Sequence, residues 1–233
     1  MRLDKMISHH TGLSRVEAKR VLRQGLVTVD EVVTKNAALH ISSDNIVCYD
    51  GQTLGAVSKR YIMLNKPENT ICSTIDEDYP SVLNLLDLNN TRDLHIAGRL
   101  DVDTTGLVLI TDDGKWSHQI TSPKKQCTKR YRVWLDEPLC DDAEAQLTAG
   151  LKLHGEKELT LPATLERINS QEVLLSISEG KYHQVKRMFA ALNNKVTALH
   201  REKIGDIELD LDLNEGDWRY LTEAETNSVL KML

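Results

Sequence analysis

The sequence predicts an α+β protein in two parts: a small unit of helices plus a hairpin over 1–58, then a larger domain over 59–233 with a mostly antiparallel mixed sheet flanked by helices. Three observations predict it. The first sixty residues carry two helical patterns and one hairpin pattern. From residue 61 onward, short strand-like runs at hairpin spacing alternate with helical ones. Between them YDGQTLGAVSKR (49–60) is rich in glycine and polar residues and reads as a linker.

Within the first part, SRVEAKRVLRQG (14–25) is a well-signed helix: Ser14 and Glu17 form a capping box, and Gly25 suits the left-handed position past the end. At about 100° per residue, Arg15, Lys19 and Arg23 fall on one face, while Ala18, Val21 and Leu22 cover another. LDKMIS (3–8) is a shorter amphipathic helix, and LVTV and VVT around Asp30-Glu31 form a tight hairpin. In the second part, runs at 61–67, 94–98, 106–111, 131–135, 163–168 and 172–178 read as strands. Runs at 116–122, 141–151, 184–192 and 223–233 read as helices.

Composition narrows the function classes. No apolar run approaches the roughly 20 residues that cross a bilayer, and MRLDKMISHH lacks the apolar core of a secretory signal. Cys48, Cys72, Cys127 and Cys140 are scattered without a C-x-x-C pair, which argues against a zinc ribbon or a disulfide framework. The expectation is a cytoplasmic protein with reduced thiols, no metal site and no membrane partner. No G-x-G-x-x-G or Walker A pattern offers a nucleotide cofactor a seat, so no cofactor is expected. A monomer is the default. The net charge of −6 hides an asymmetry: residues 1–60 carry +3 and the remainder −9. Because charges are screened within about 8 Å at physiological salt, local basic patches decide phosphate binding. Such patches occur at SPKKQCTKRYR (122–132) and KYHQVKR (181–187).

Three segments carry chemistry. In GRLDVDTTG (98–106), Asp101 sits between a strand and a turn, placed either to aim its carboxylate into a cleft or to bond the backbone as an Asx turn; Asp103 fits the second role better. In EGKYHQVKRM (179–188), Lys181, His183, Lys186 and Arg187 crowd a helix start that must bury Val185, Met188 and Phe189. One cation can face an interior cleft and its neighbour phosphate. In KRYR (129–132), Tyr131 lies among cations, the composition of a base-stacking site, although a tyrosine opening a strand is more often core.

The order of the early elements, with LDK, then SR opening the second helix, then G-x-V-x-V, resembles the S4 domain, which grips structured RNA. Where that domain often has V-N-G, this chain has Val29-Asp30-Glu31. The resemblance implies phosphate contacts from Arg2, Lys5, Arg15, Lys19 and Arg23. Farther on, N-K-P (65–67), G-R-L-D with T-T-G-L-V-L-I-T-D-D-G, K-x-Y, and E-G-x-Y-H-Q-V-K-R-M closely resemble the RsuA/RluB/RluE/RluF family of ribosomal RNA pseudouridine synthases. That family places an S4 domain ahead of its catalytic domain.

This resemblance implies that uracil is detached from C1′ of its ribose, turned and rejoined through C5, without a cofactor. It makes Asp101 the catalytic carboxylate, as nucleophile or base, Lys186 the cation beside it where most relatives have arginine, and Tyr131 the residue stacked on the target base. Arg99, Lys124, Lys125, Lys129, Arg130, His183 and Arg187 would line the cleft against RNA and offset the cost of flipping the uridine. The D-V-D-T-T-G and H-Q-V-K-R-M variants look most like the small-subunit branch, implying uridine 516 of 16S ribosomal RNA, free or in a small-subunit assembly intermediate. Two alternatives stand beside it: a non-catalytic S4-type RNA-binding ribosome assembly factor, and a hydrolase pairing Asp101 with Asp103 or Asp112.

Overall fold

The computed structural model describes residues 1–42, 44–55, 59–88 and 90–230. They divide into two compact units, Met1–Lys59 with Leu88–Asp93, and Arg60–Asp87 with Leu94–Leu233.

In the first unit, α1 (Leu3–Thr11) packs on α2 (Arg15–Arg23), whose capping box is complete: the Glu17 amide donates to the Ser14 hydroxyl, and the Glu17 carboxylate accepts from the Ser14 amide. Leu3, Met6, Ile7, Ala18, Val21 and Leu22 bury one face of the pair against Val27, Val29 and Val47. The sheet beneath runs β2-β1-β3-β4, with β1 (Val27–Val29) and β2 (Val32–Val33) forming the expected hairpin. Asp30 and Glu31 both take left-handed φ (49° and 69°), the pair of conformations that a two-residue hairpin needs.

The stretch read as a linker is in part a second hairpin. β3 (Val47–Tyr49) and β4 (Gln52–Leu54) pair around Asp50-Gly51, with φ of 48° and 76°. Asp-Gly is itself a strong hairpin signal, and the exposure of Gln52 and Thr53 is what gives the run its linker-like polarity. Residues 56–58 of that expected linker, and 231–233 of the expected last helix, lie outside the described residues.

The second unit is built on one mixed sheet in the order β13-β5-β7-β11-β8-β10-β9, with β6 (His95–Ile96) added to β7 and β12 (Ile207–Glu208) to β11. The strands are β5 (Tyr61–Lys66), β7 (Thr105–Thr111), β8 (Lys129–Leu135), β9 (Thr164–Arg167), β10 (Glu172–Ile177), β11 (Val196–Ile204) and β13 (Trp218–Tyr220). β7 and β11 pair in parallel and the other strand pairings are antiparallel. Continuous apolar character in β5 and β7 reflects burial on both faces.

The helices of this unit are α3 (Gly114–Thr121), α4 (Ala143–Ala149), α5 (Gln184–Ala191) and α6 (Glu223–Leu230). Asp113 caps α3 by accepting from the amides of Lys115 and Trp116, and the Trp116 indole donates to the Thr226 carbonyl of α6 at 3.0 Å. Trp116 and Ile120 then pack on Met63, Leu107, Leu109 and Ile204. β11 is absent from the sequence expectation, yet it is the strand on which β7 and β8 meet.

Candidate active site

The loop over 98–105 is held almost entirely by its backbone. Leu100 is buried, and its amide meets the Cys72 sulfur at 3.3 Å. The Thr104 amide donates to the Asp101 carbonyl, and the Asn69 amide to that of Val102. From one side, the buried Lys66 ammonium donates to the carbonyls of Pro67, Val102 and Thr104 at 3.0, 3.3 and 2.9 Å. Burial pushes this ammonium below its usual pKa, with the charges of Asp103, Asp101 and others only partly opposing. From the other side comes Arg201 of β11, 2% exposed, donating to Leu107, Arg99 and Gly98 carbonyls at 2.8, 3.3 and 3.1 Å.

Gly106 makes that second support possible. In register with Arg201 across the parallel pair, it has φ of 102°, and a Cβ there would meet the Arg201 carbonyl oxygen at 2.4 Å and nitrogen at 2.7 Å. With the backbone fixed on both sides, Arg99, Asp101 and Asp103 are left to project from the loop.

Across the cleft, β8 and the start of α5 supply the partners. Tyr131, almost fully buried, places its hydroxyl 3.5 Å from the Arg201 guanidinium, which also lies over its ring at 5.9 Å. α5 buries Gln184, Val185, Met188 and Phe189, leaving Lys186 to face the loop. Its ammonium lies 3.5 Å from Asp101 and 2.6 Å from Asp103. Burial would raise the Asp103 carboxyl, but the hydrogen bond and charge of Lys186 outweigh it and hold it below the usual range. His183 Nε2 stands 3.6 Å from the other Asp101 oxygen. Asp101, Tyr131 and Lys186 therefore share one cleft of about 920 Å³, which Arg99, Lys129, His183 and Arg201 also line. Burial pushes the Lys129 ammonium below its usual pKa.

Other expected residues fall elsewhere. Arg130 is one step from Lys129 and Tyr131 on a strand, so it points to the opposite face; it meets Glu202 at 3.2 Å and Glu208 at 3.6 Å, and its expected place in the cleft is corrected accordingly. Arg187 is turned about 100° from Lys186 on the helix. It is tied to Glu156 and to the carbonyls of Tyr182 and His154, so it holds protein backbone where phosphate was expected. Lys124 and Lys125 form a short 3-10 turn next to Pro123, which lines the cleft. Asp112, buried beyond the far end of β7, pairs with Arg60 at 2.9 Å and is no partner for Asp101.

In the first unit, Asp4 is fully buried and accepts from both Arg2 (3.1 and 3.0 Å) and Arg15 (2.8 Å to each oxygen). Burial opposes ionisation, yet the two guanidinium partners hold this carboxyl below its usual pKa. Arg2 and Arg15 stay roughly half exposed, fixed in place by the shared aspartate. Lys5 lies 3.7 Å from Asp93, while Lys19 and Arg23 have no carboxylate partner among the described residues.

Sequence reasoning missed Arg201 and the role of Lys66. The N-K-P segment was visible, but nothing in it marks a lysine that satisfies three carbonyls. Among the described residues no cluster of three or more His, Cys, Asp or Glu could hold a metal ion, and no helix is long and apolar enough to cross a membrane.

A carboxylate on a braced loop, an ammonium shared by two carboxylates and a nearly buried tyrosine thus meet in one cleft of the mixed sheet. The family model described as RNA pseudouridylate synthase matches residues 60–191, and the S4 domain model matches residues 1–47. The chain belongs to the RNA pseudouridylate synthase family and is an isomerase with an S4 domain ahead of its catalytic domain. It is 54% identical over 231 residues to the ribosomal small subunit pseudouridine synthase A of Vibrio cholerae, covering 99% of this chain and 100% of that one. The proteins of that name from Escherichia coli K12 (54%, 99% and 100%) and Salmonella typhimurium (55%, 98% and 100%) are comparably similar. A solved structure described as a pseudouridylate synthase superposes with a TM-score of 0.72 at 47% identity, covering 98% of this chain and 99% of its own.

Proposed function

We propose that this protein isomerises one uridine of 16S ribosomal RNA to pseudouridine, at uridine 516, with Asp101 as the reacting carboxylate. The observation that carries the reading is the convergence of Asp101, Lys186 and Tyr131 on one cleft, in a chain that matches small-subunit enzymes end to end.

A uridine rotated out of the RNA presents C1′ to Asp101 and its ring to Tyr131. The carboxylate attacks or deprotonates the sugar as the C1′–N1 bond breaks. Uracil leaves as its N1 anion and turns within the cleft. C5 then bonds to C1′, displacing the carboxylate or letting it return the proton it took from the sugar. The C5 proton is lost to solvent while N1 takes one up. Atoms and electrons balance with no external reagent. Lys186 serves as a charge that keeps a carboxylate reactive in a site from which RNA expels water. Shared between Asp101 and Asp103 at 3.5 and 2.6 Å, it compensates two anions at once. Arg201, at the cleft wall, and the buried Lys66 spend their hydrogen bonds on backbone carbonyls and so position the loop that carries Asp101. The S4 unit supports RNA binding through Lys19 and Arg23, with Arg2 and Arg15 oriented by Asp4.

The test is incubation with 16S RNA, or small-subunit particles, carrying tritium at uracil C5. Release of tritium to water, with the RNA chain intact and pseudouridine mapped to position 516, is the expected result. A wild-type protein that releases none from any of these RNAs overturns the reading.

A further inference from the structure

We propose that Tyr182 and His183 form an aromatic ledge that seats a second nucleobase of the RNA, beside the uridine offered to Asp101; the proposal rests on the RNA-isomerase reading above.

Tyr182 is 75% exposed, although a large aromatic side chain gains by burial. Its ring is stacked on that of His183, with centroids 3.8 Å apart and planes 21° from parallel. The arrangement depends on a rare backbone conformation. His183 takes φ of 46° at the residue before α5, a left-handed geometry that a side chain other than glycine adopts at a cost. Further bonds fix the segment. The Tyr182 carbonyl accepts from Arg187 at 2.9 Å, and the Lys181 amide donates to the Gln184 side chain at 2.8 Å. Gln184 in turn donates to Glu179 at 2.8 Å.

The ledge faces the chemistry. The His183 edge lies 3.6 Å from Asp101, and both aromatic residues line the same cleft. Carboxylate, imidazole and phenol thus follow one another in contact, so a base resting on Tyr182 is a spatial neighbour of a nucleotide held at Asp101. One face of Tyr182 is taken by His183, and its high exposure leaves the rest to solvent. Its hydroxyl has no hydrogen-bond partner among the described residues, and a stacking role requires none. A flipped uridine strips its neighbours of a stacking partner, and an open aromatic face supplies a replacement that accepts any base. Tyr131 is a different case, being nearly buried against Arg201 at the floor of the cleft.

Stacking on one aromatic platform corresponds to about tenfold in binding. The experiment compares wild type with Tyr182→Ala, Tyr182→Phe and Tyr182→Trp by tritium release from 16S RNA. The RNA is either intact or carries an abasic ribose immediately 5′ or 3′ of the target. Tyr182→Ala should lose about tenfold in kcat/KM, mainly through KM, while the Phe and Trp variants retain activity. Wild type should lose a similar factor on one of the two abasic RNAs, where Tyr182→Ala loses nothing more. Tyr182→Ala matching wild type on intact RNA, or losses that multiply on both abasic RNAs, overturns the ledge while leaving the isomerase reading intact. A wild type inactive on every intact RNA overturns that reading and the ledge with it.

Discussion

Replacing Arg201 by methionine tests whether the brace beneath the Asp101 loop matters to chemistry as well as to stability. The guanidinium makes three hydrogen bonds to carbonyls, all at a site that is 2% exposed. Bonds from a charged donor are worth about 1.5 kcal/mol each at the low end, so their loss removes roughly 4–5 kcal/mol. Methionine fills much of the volume, and release of a buried charge returns part of this, leaving a net cost of about 3 kcal/mol. For a chain of this size that lowers the melting midpoint by roughly 6–12 °C. The catalytic effect is separate. Two of the freed carbonyls, those of Gly98 and Arg99, lie within three residues of Asp101. If Asp101 is the reacting carboxylate, as proposed, its displacement by about 1 Å costs on the order of 100-fold in rate. Single-turnover tritium release at saturating enzyme, run well below the lowered midpoint, reads that loss apart from unfolding. Arg201→Lys, whose ammonium cannot span the same three acceptors, should fall between. A variant with a depressed midpoint and a single-turnover rate within about twofold of wild type would refute the positioning argument.

Lys186→Met should reduce single-turnover tritium release by at least about tenfold, with Lys186→Arg retaining most of it, because the charge between Asp101 and Asp103 is removed in the first and kept in the second. Gly106→Ala forces a Cβ against the Arg201 backbone at positive φ; a cost of about 3–5 kcal/mol, seen as a lower denaturation midpoint, is expected. Replacing Lys19 and Arg23 together by glutamine should weaken RNA binding and reduce the slope of log affinity against log salt by about one for each phosphate no longer neutralised. Glu225, held by Arg219 at 2.8 Å, has its carboxyl pulled from 4.5 down to about 2. Because the folded value is depressed, the stability it contributes is present above pH 4.5 and lost as pH falls towards 2. After solvent screening that contribution is on the order of 1 kcal/mol, and Glu225→Gln should remove this part of the acid dependence of the midpoint.

Local chemistry made much of the site legible. Ser14 and Glu17 announce α2, and the tightly spaced G-R-L-D and H-Q-V-K-R segments mark the two sides of the cleft. What stayed hidden depends on registers that neighbouring residues do not encode. β11 pairs with β8 through two irregularities, between Val196 and Ala198 and between Arg201 and Lys203. These break the alternation of apolar and polar residues by which a strand is recognised, so HREK reads as surface although Arg201 is buried. Arg130 and Arg187 each sit next to a residue that lines the cleft, and adjacency in sequence suggests a shared role. The period of a strand and the pitch of a helix send them elsewhere, to Glu202 and to Glu156. Lys66 shows the opposite limit: its motif is plain, but its function lies in carbonyls nearly forty residues away.

The most direct measurement is tritium release by Asp101→Asn, made alongside its affinity for the same 16S RNA. Asparagine keeps the size and most of the contacts while removing the charge that Lys186 and His183 face. Unchanged binding with release abolished is the predicted pair of results. An asparagine variant that still turns over labelled RNA at a rate near wild type would contradict the account at its root.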